Sequence, residues 1–285
     1  MNFGELLTAS QMDGGIDDPK KKKPVPTMAD EMKVLYKKPF KYDNKSALDI
    51  TRNVAAKTGI DPSILYSSAF QEGMNKVLAN PDEVEKTLQK GGWFNKDYPV
   101  SGYESYGLDT FGQRFDEFVQ KGYLPPEFKD QFTPINIFND HVKQVKNPKT
   151  GKIEMVDDPQ AVVSADFKNN EAALMAKSAF IRSGQDAVKN YAKQKGVTLD
   201  NDTLNYFTLA AYNSGEGNAM KMFDKYVSSK DKKEFIEKGD ANWQSVHKNI
   251  SPRMQNAKVV NQLFAENPLG IEVPPPTPIQ QPIIQ

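Results

Sequence analysis

The chain of 285 residues contains no cysteine, which excludes disulfides, cysteine metal sites and a cysteine nucleophile. Histidine is also scarce, because only His141 and His247 occur and they stand far apart in the sequence. We therefore expect no histidine-rich metal site, no Ser-His-Asp triad and no bound cofactor.

An excess of charge of one sign is lacking as well. Lys and Arg together number 37, as do Asp and Glu, so the net charge is zero and nothing indicates nucleic acid as the main partner. No apolar run is long enough to span a bilayer, so we expect no membrane span. Residues 1–15 lack the basic region and apolar core of a signal peptide, so work outside the cytoplasm would require a route other than general secretion.

The ends of the chain differ in composition from its middle. Residues 1–40 alternate short apolar pieces with charge runs, and we expect an N-terminal arm that is flexible or bound to a partner. Residues 269–285 are rich in proline and glutamine and should form an extended tail.

Between these terminal segments, residues 41–268 form one domain in which helical patterns predominate. Capping and stop signals predict helices over residues 46–57, 61–78, 81–90, 116–121, 168–183, 185–195, 202–212, from about 218, and 251–266.

One segment departs from the helical pattern. Residues 141–156 alternate between apolar and polar side chains on both sides of Asn147-Pro148-Lys149-Thr150-Gly151. This arrangement is typical of a β-hairpin. The predicted fold is therefore mainly α, with a small β-hairpin and extended tails.

Glu72 is the one charged residue between Pro62 and Asn75, on a helix that Asp61 and Pro62 should open. The helix is apolar nearly all round, so it belongs in a core, and Ser68 shares a face with Glu72. Ionising a lone buried carboxyl is costly, and a carboxyl that stays protonated can act as a general acid on a glycosidic oxygen. Pairing of Glu72 with an arginine or lysine in a purely structural role remains the alternative.

Residues 102–112 form a second informative segment, with three glycines and three aromatic residues. Glycines allow a backbone to approach a ligand closely, and aromatic rings stack on sugar faces. Tyr106, Gly107, Leu108 and Asp109 are its candidates for substrate contact. The same composition also fits a loop whose aromatic residues only pack.

A third segment, residues 210–217, places Tyr212 and Asn213 at the end of a predicted helix, before a Ser-Gly-Glu-Gly turn. Tyr212 offers a hydroxyl, and the amide of Asn213 offers both a donor and an acceptor. An ordinary helix stop would have the same pattern.

Taken in order, these segments resemble the soluble lytic transglycosylase family, which is related in fold to goose-type lysozyme. Glu72 matches the catalytic glutamate, Gly107-Leu108 matches a substrate loop, and residues 211–215 match the Ala-Tyr-Asn-x-Gly turn, the most specific piece. The resemblance spans about residues 46–266. Three departures stand out: Gly73 replaces a serine, Asp109-Thr110 replace Met-Gln, and residues 113–157, with the hairpin, look like an insertion.

The resemblance implies a lysozyme-like helical domain that cleaves the β-1,4 bond between N-acetylmuramic acid and N-acetylglucosamine in peptidoglycan. Glu72 would be the single acid and base, and the product would carry a 1,6-anhydro ring. Tyr212 would hold Glu72, and Asn213 would contact the substrate acetamido group. Ser68 and the four loop residues Tyr106, Gly107, Leu108 and Asp109 would bind the glycan strand.

Two other functions remain open at this point. If Asp109 or Glu104 faced Glu72 across roughly 6.5–9.5 Å, the enzyme would be an inverting muramidase. The chain could also be an inactive structural or adaptor protein on a lysozyme-like scaffold. A phage virion protein that opens the cell wall during entry would fit both the tails and the lack of a signal peptide. Its tails would contact other virion proteins, and it would act in the bacterial wall or periplasm.

Overall fold

The computed structural model describes residues 28–39, 45–74, 110–139, 142–157 and 160–266. Within these ranges the fold is mainly helical, with antiparallel strand pairs, as the sequence predicts. The helices are α1 (Met28–Leu35), α2 (Ala47–Thr58), α3 (Pro62–Ala69), α4 (Phe111–Gln120), α5 (Asn170–Gln194), α6 (Asn201–Ser214), α7 (Glu216–Ser228), α8 (Lys232–Lys238) and α9 (Gln244–Glu266). The strands are β1 (Phe132–Asn139), β2 (Val142–Lys146), β3 (Ile153–Asp157) and β4 (Gln160–Phe167).

Helix α5 lies at the centre of the fold and packs against α2, α3, α6 and α7. Small residues along it, including Ala173, Ala176 and Ala179, are almost completely buried and let the neighbouring helices approach closely. Helix α1 packs against α9 and buries Met32 completely, so the packed part of the chain reaches back into the segment expected to be an arm. None of the described helices combines the length and apolar character needed to cross a membrane.

Several helix ends lie where the sequence signals place them. The hydroxyl of Ser46 accepts a hydrogen bond from the backbone of Asp49 at the start of α2, and Gly59 ends that helix with φ +70°. Asp61 caps α3 through the backbone N–H of Ser63. Residues 81–90, where another helix is predicted, lie outside the described residues.

The helix that carries Glu72 is not α-helical throughout. Helix α3 ends at Ala69, and Phe70–Met74 form a π-helical turn. A π turn holds one extra residue for each turn of the helix, so it rotates the side chains that follow it. Glu72 lies within this turn. The sequence predicted an uninterrupted α-helix to residue 78, but the α-helical part ends at Ala69. Residues 75–78 lie outside the described part of the chain.

Gly184 does not end a helix, contrary to the prediction, because α5 continues through it to Gln194. A Cβ atom at this position would lie 3.1 Å from the Cβ of Ala211 and 3.3 Å from the carbonyl oxygen of Thr208. The glycine therefore allows α5 and α6 to pack closely. Tertiary packing outweighs the weak helix propensity of glycine here.

Two further helix starts differ from the predictions. Helix α4 begins at Phe111 instead of Asp116, because Phe111 is fully buried against Phe132 and Phe167, with ring centroids 5.0 and 5.1 Å away. Helix α9 begins at Gln244, so Pro252 lies inside it instead of opening it. Proline removes one helical hydrogen bond, but the buried face of α9 keeps the helix continuous across that position.

The predicted hairpin is present as the antiparallel pair β2 and β3, joined at residues 147–152. Strands β1 and β4 also pair, and this second pair was not predicted because Pro134 interrupts the pattern of β1. The two pairs share one register, from Phe132 opposite Phe167 to Lys146 opposite Ile153. Strand β3 exposes Ile153 and Met155, which are 67% and 57% accessible.

We expect Gly184→Ala to destabilise the fold by about 1–3 kcal/mol, because the added methyl group would lie only 3.1 Å from the Cβ of Ala211 and force α5 and α6 apart slightly. The matched control is Gly217→Ala in α7, where nothing lies within 4 Å of the added Cβ. That change should be neutral or stabilise by about 0.5 kcal/mol. Urea denaturation of both variants measures the difference, and equal midpoints for the two variants would contradict the close approach of α5 and α6.

Candidate functional site

A pocket of about 570 Å³ opens where the π turn, α4, α5 and the junction of α6 with α7 meet. Its wall combines charged, amide and apolar groups. The lining residues are Glu72, Thr110, Arg114, Glu117, Phe180, Gly184, Ala211, Tyr212, Asn213, Gly215 and Glu216.

Glu72, Tyr212 and Asn213, the three residues predicted from the glutamate helix and the Tyr-Asn turn, line this one pocket. Glu72 lies on the π turn, and the other two lie on the last turn of α6. Gly215 ends α6 with φ +84°, and its N–H bonds to the carbonyl of Ala211. The fold therefore brings together residues that are about 140 positions apart in the chain.

Of the other predicted site residues, Ser68 is the one that the structure describes. Ser68 is fully buried on α3, its hydroxyl has no hydrogen-bond partner in the described structure, and it does not line the cavity. It is thus inaccessible to a substrate in this conformation. Tyr106, Gly107, Leu108 and Asp109, together with Glu104, lie outside the described residues.

Glu72 forms an ion pair with Arg253, which projects from α9. The side chain of Arg253 is only 4% exposed, and that of Glu72 is 25% exposed. The Nε and Nη1 atoms of Arg253 are buried without a hydrogen-bond partner, so Glu72 provides the charge that the structure shows opposite this guanidinium. Pairing of Glu72 with an arginine or lysine was the alternative that the sequence left open, and such a pair is present here.

Tyr212 accepts a hydrogen bond from the ammonium of Lys177, with 2.7 Å between Nζ and Oη. Lys177 is fully buried on α5, although lysine is among the residue types least often buried. Burial lowers the pKa of Lys177 to about 7; the Glu72 carboxylate opposes this effect and Arg253 adds to it. The Tyr212 hydroxyl is thus bonded to Lys177. The bond from Tyr212 to Glu72 that the family resemblance implies stays a prediction.

A second polar network lies along the pocket wall formed by α4 and α7. Arg114 binds Glu117 through two nitrogens, at 3.0 and 3.1 Å, and donates to the hydroxyl of Ser183 at 3.2 Å. The hydroxyl of Ser183 in turn donates to Glu216 at 2.9 Å. The hydrogen bond from Arg114, with a further one from Lys121, lowers the pKa of Glu117 to about 2. Two carboxylates besides Glu72 therefore face the pocket.

Asn213 is held from α9. The side chain of Asn249 donates to the Oδ1 atom of Asn213 at 3.4 Å, and the carbonyl of Asn249 accepts from Gln71 at 3.3 Å. This contact leaves the NH₂ group of Asn213 as the end of the amide that can donate to a ligand. Helix α9 thus positions both Glu72, through Arg253, and Asn213.

Lys177, Arg253 and the network along the pocket wall were not predicted from the sequence. Lys177 did carry a signal, because it is the one charged residue between Ala172 and Ile181, as Glu72 is on its own helix. Arg253 follows a Ser-Pro pair that was interpreted as a helix start, which concealed its position on a buried helical face. Within the described ranges, no group of three or more potential metal-binding side chains is placed to hold an ion.

Comparison with known proteins adds no family assignment. No protein-family model, curated protein or solved structure matches this chain. The interpretation of the pocket therefore depends on the residues that line it and on the motif resemblance.

We expect Lys177→Met to stabilise the protein by about 2–4 kcal/mol at pH 6, because it removes a buried charge. The pKa of this lysine is about 7 in the folded protein and near 10.5 in the unfolded chain, so the unfolded state binds more protons between these values. The stability of the unmutated protein should therefore rise with pH across this window, and the advantage of Lys177→Met should shrink.

Urea denaturation at about pH 6 and about pH 9.5 tests this linkage. The matched control is Lys189→Met, which replaces an exposed lysine on the same helix and should show no comparable pH dependence. A Lys177→Met protein that is less stable than its parent at pH 6 would contradict the lowered pKa of the buried Lys177.

Proposed function

We propose that this pocket binds a peptidoglycan glycan strand and cleaves it as a lytic transglycosylase on a lysozyme-like helical domain. The observation that carries the proposal is the meeting of Glu72, Tyr212 and Asn213 in one polar pocket, although the motifs that predicted them are far apart in the chain. Sugar hydroxyls and acetamido groups require donors and acceptors of this kind, and Phe180 adds an apolar surface for a sugar face.

In the proposed reaction, Glu72 in its protonated form gives its proton to the glycosidic oxygen as the bond to C1 of the muramic acid ring breaks. The 6-hydroxyl of the same ring then bonds to C1, and its proton returns to Glu72 as base. Water is not consumed, and the product is a 1,6-anhydro sugar. Asn213 would hold the acetamido group through its NH₂ end, because Asn249 already donates to its Oδ1 atom.

The Arg253 ion pair constrains this chemistry. Glu72 is held by Arg253, so it must release or share this contact before it can give a proton to a glycosidic oxygen. Binding a glycan would exclude water from the pocket, where the Glu72 side chain is 25% exposed in the unliganded protein. On this proposal, substrate binding brings the glycosidic oxygen to Glu72.

The same ion pair favours a second candidate function, a glycan-binding scaffold without catalysis. In that case the role of Glu72 would be to neutralise the buried Arg253, and the protein would be a structural or adaptor component of a virion. Glu216 offers a further variant, because a second carboxylate in the pocket could activate a water and give an inverting muramidase. These candidates differ in their products.

We further propose that the protein is carried in a phage virion and acts in the bacterial wall or periplasm. The support is the wall-cleaving chemistry proposed above, together with the composition of the terminal segments. Those segments would contact other virion proteins.

The test compares muropeptides released from purified peptidoglycan by the unmutated protein and by Glu72→Gln. We expect anhydro-muropeptides from the unmutated protein and a loss of at least about 100-fold in the variant, because an amide cannot transfer the proton. Glu237→Gln, which changes an exposed glutamate on α8 away from the pocket, is the matched control and should retain activity. Mass spectrometry distinguishes anhydro from reducing ends.

Each alternative has its own result. Reducing ends that disappear in Glu216→Gln would identify a muramidase. Co-sedimentation with intact sacculi without any release of muropeptides would identify the scaffold. Neither release nor co-sedimentation, with walls from several bacterial groups, would overturn a peptidoglycan function.

A further inference from the structure

The residue that the proposed reaction leaves without a role is Lys177. It lies on α5 beneath the pocket, its side chain is fully buried, and it is absent from the pocket lining. Burying a lysine costs free energy, so its presence here indicates a role that offsets this cost. The lysine cannot meet a substrate directly, and any effect on the pocket must pass through a neighbour.

That neighbour is Tyr212, which lines the pocket and contacts Lys177 in two ways. Nζ lies 2.7 Å from the hydroxyl oxygen and 4.4 Å from the centre of the ring. The guanidinium carbon of Arg253 lies 5.7 Å from the same ring centre. Tyr212 is therefore close to two cations, one of which also binds Glu72.

The direction of the hydrogen bond depends on the charge of Lys177. An ammonium group has three donors and no acceptor, so it obliges the Tyr212 oxygen to accept. The phenolic hydrogen must then point to a different acceptor. A neutral amine has a lone pair, and it can accept that hydrogen and draw it away from the pocket.

We propose that Lys177 is a positioning residue: while charged, it directs the hydroxyl hydrogen of Tyr212 into the pocket, where it can bind the Glu72 carboxylate or a glycan oxygen. This inference deepens the proposed function and rests on it for the identity of the ligand. The hydrogen-bond switch itself is a property of the Lys177–Tyr212 contact and can be observed without a ligand.

The charges around Lys177 place the switch near neutral pH. Glu72 from the π turn favours the ammonium, Arg253 from α9 opposes it, and burial lowers the pKa to about 7. Tyr212 from α6 is the hydrogen-bonded group. The ammonium form therefore predominates below about pH 7 and the amine form above it.

The first experiment observes Tyr212 directly, by NMR of protein labelled with ¹³Cζ-tyrosine. Tyr212→Phe assigns its signal among the eleven tyrosines of the chain. We expect this signal to shift with a midpoint near pH 7 in the unmutated protein. It should not shift in Lys177→Met, which lacks the titrating group, or in Lys177→Arg, which stays charged.

Lys189→Met, which alters an exposed lysine of the same helix, should keep the midpoint. His247 hydrogen-bonds to Tyr206, so its titration should affect a different tyrosine signal. A Tyr212 signal without an inflection between about pH 5 and pH 9 in the unmutated protein would overturn the inference. An inflection that persists in both Lys177 variants would overturn it as well.

The second experiment records muropeptide release against pH. The unmutated protein should lose activity as pH rises through about 7, whereas Lys177→Arg should keep its activity to higher pH. Lys177→Met should be about tenfold less active at low pH, because Tyr212 is no longer oriented. A Tyr212 titration without muropeptide release would support the inference and reject the proposed function; release without the titration would do the reverse.

Discussion

The fold depends on how it accommodates charge in its interior. Lys177 and Arg253 place two cations beneath the pocket, and Glu72 supplies the carboxylate paired with Arg253. Removing one member of a buried pair leaves an uncompensated charge and costs about 3–5 kcal/mol in other proteins. Glu72 therefore has a structural role whatever chemistry it performs, and an amide substitution that keeps an acceptor for Arg253 is the appropriate probe.

The close approach of α5 and α6 is the second condition for the site. Because Gly184 has no side chain, Ala211 packs directly against it, and a Cβ atom added to Gly184 would lie 3.1 Å from the Cβ of Ala211. Both residues also line the pocket. Two turns before Gly184 on the same helix face, Lys177 reaches Tyr212 from below. The close packing at Gly184 thus helps Lys177 to reach Tyr212, and the pocket beside Tyr212 has room for a ligand.

The π turn and α9 together determine what the pocket can do. The π turn presents Glu72, and α9 holds it through Arg253 and holds Asn213 through Asn249. The proposed enzyme would need Glu72 to release or share its contact with Arg253, whereas a scaffold would keep this pair unchanged. Arg114, Ser183 and Glu216 form a hydrogen-bonded network along the pocket. Glu216 is the second carboxylate that the alternative, hydrolytic mechanism would need.

The sequence by itself determined the local features: the capped start of α2 and α3, the hairpin at Asn147-Pro148, and the candidates Glu72, Tyr212 and Asn213. Caps and turns depend on neighbouring residues, and a lone acid on an apolar helix is visible in one dimension. Only the tertiary structure decided that Glu72 meets Arg253, that Tyr212 meets Lys177, and that Gly184 is a packing position instead of a helix stop. These outcomes depend on which helices touch, and contact across 27 to 181 positions leaves no local pattern in the chain.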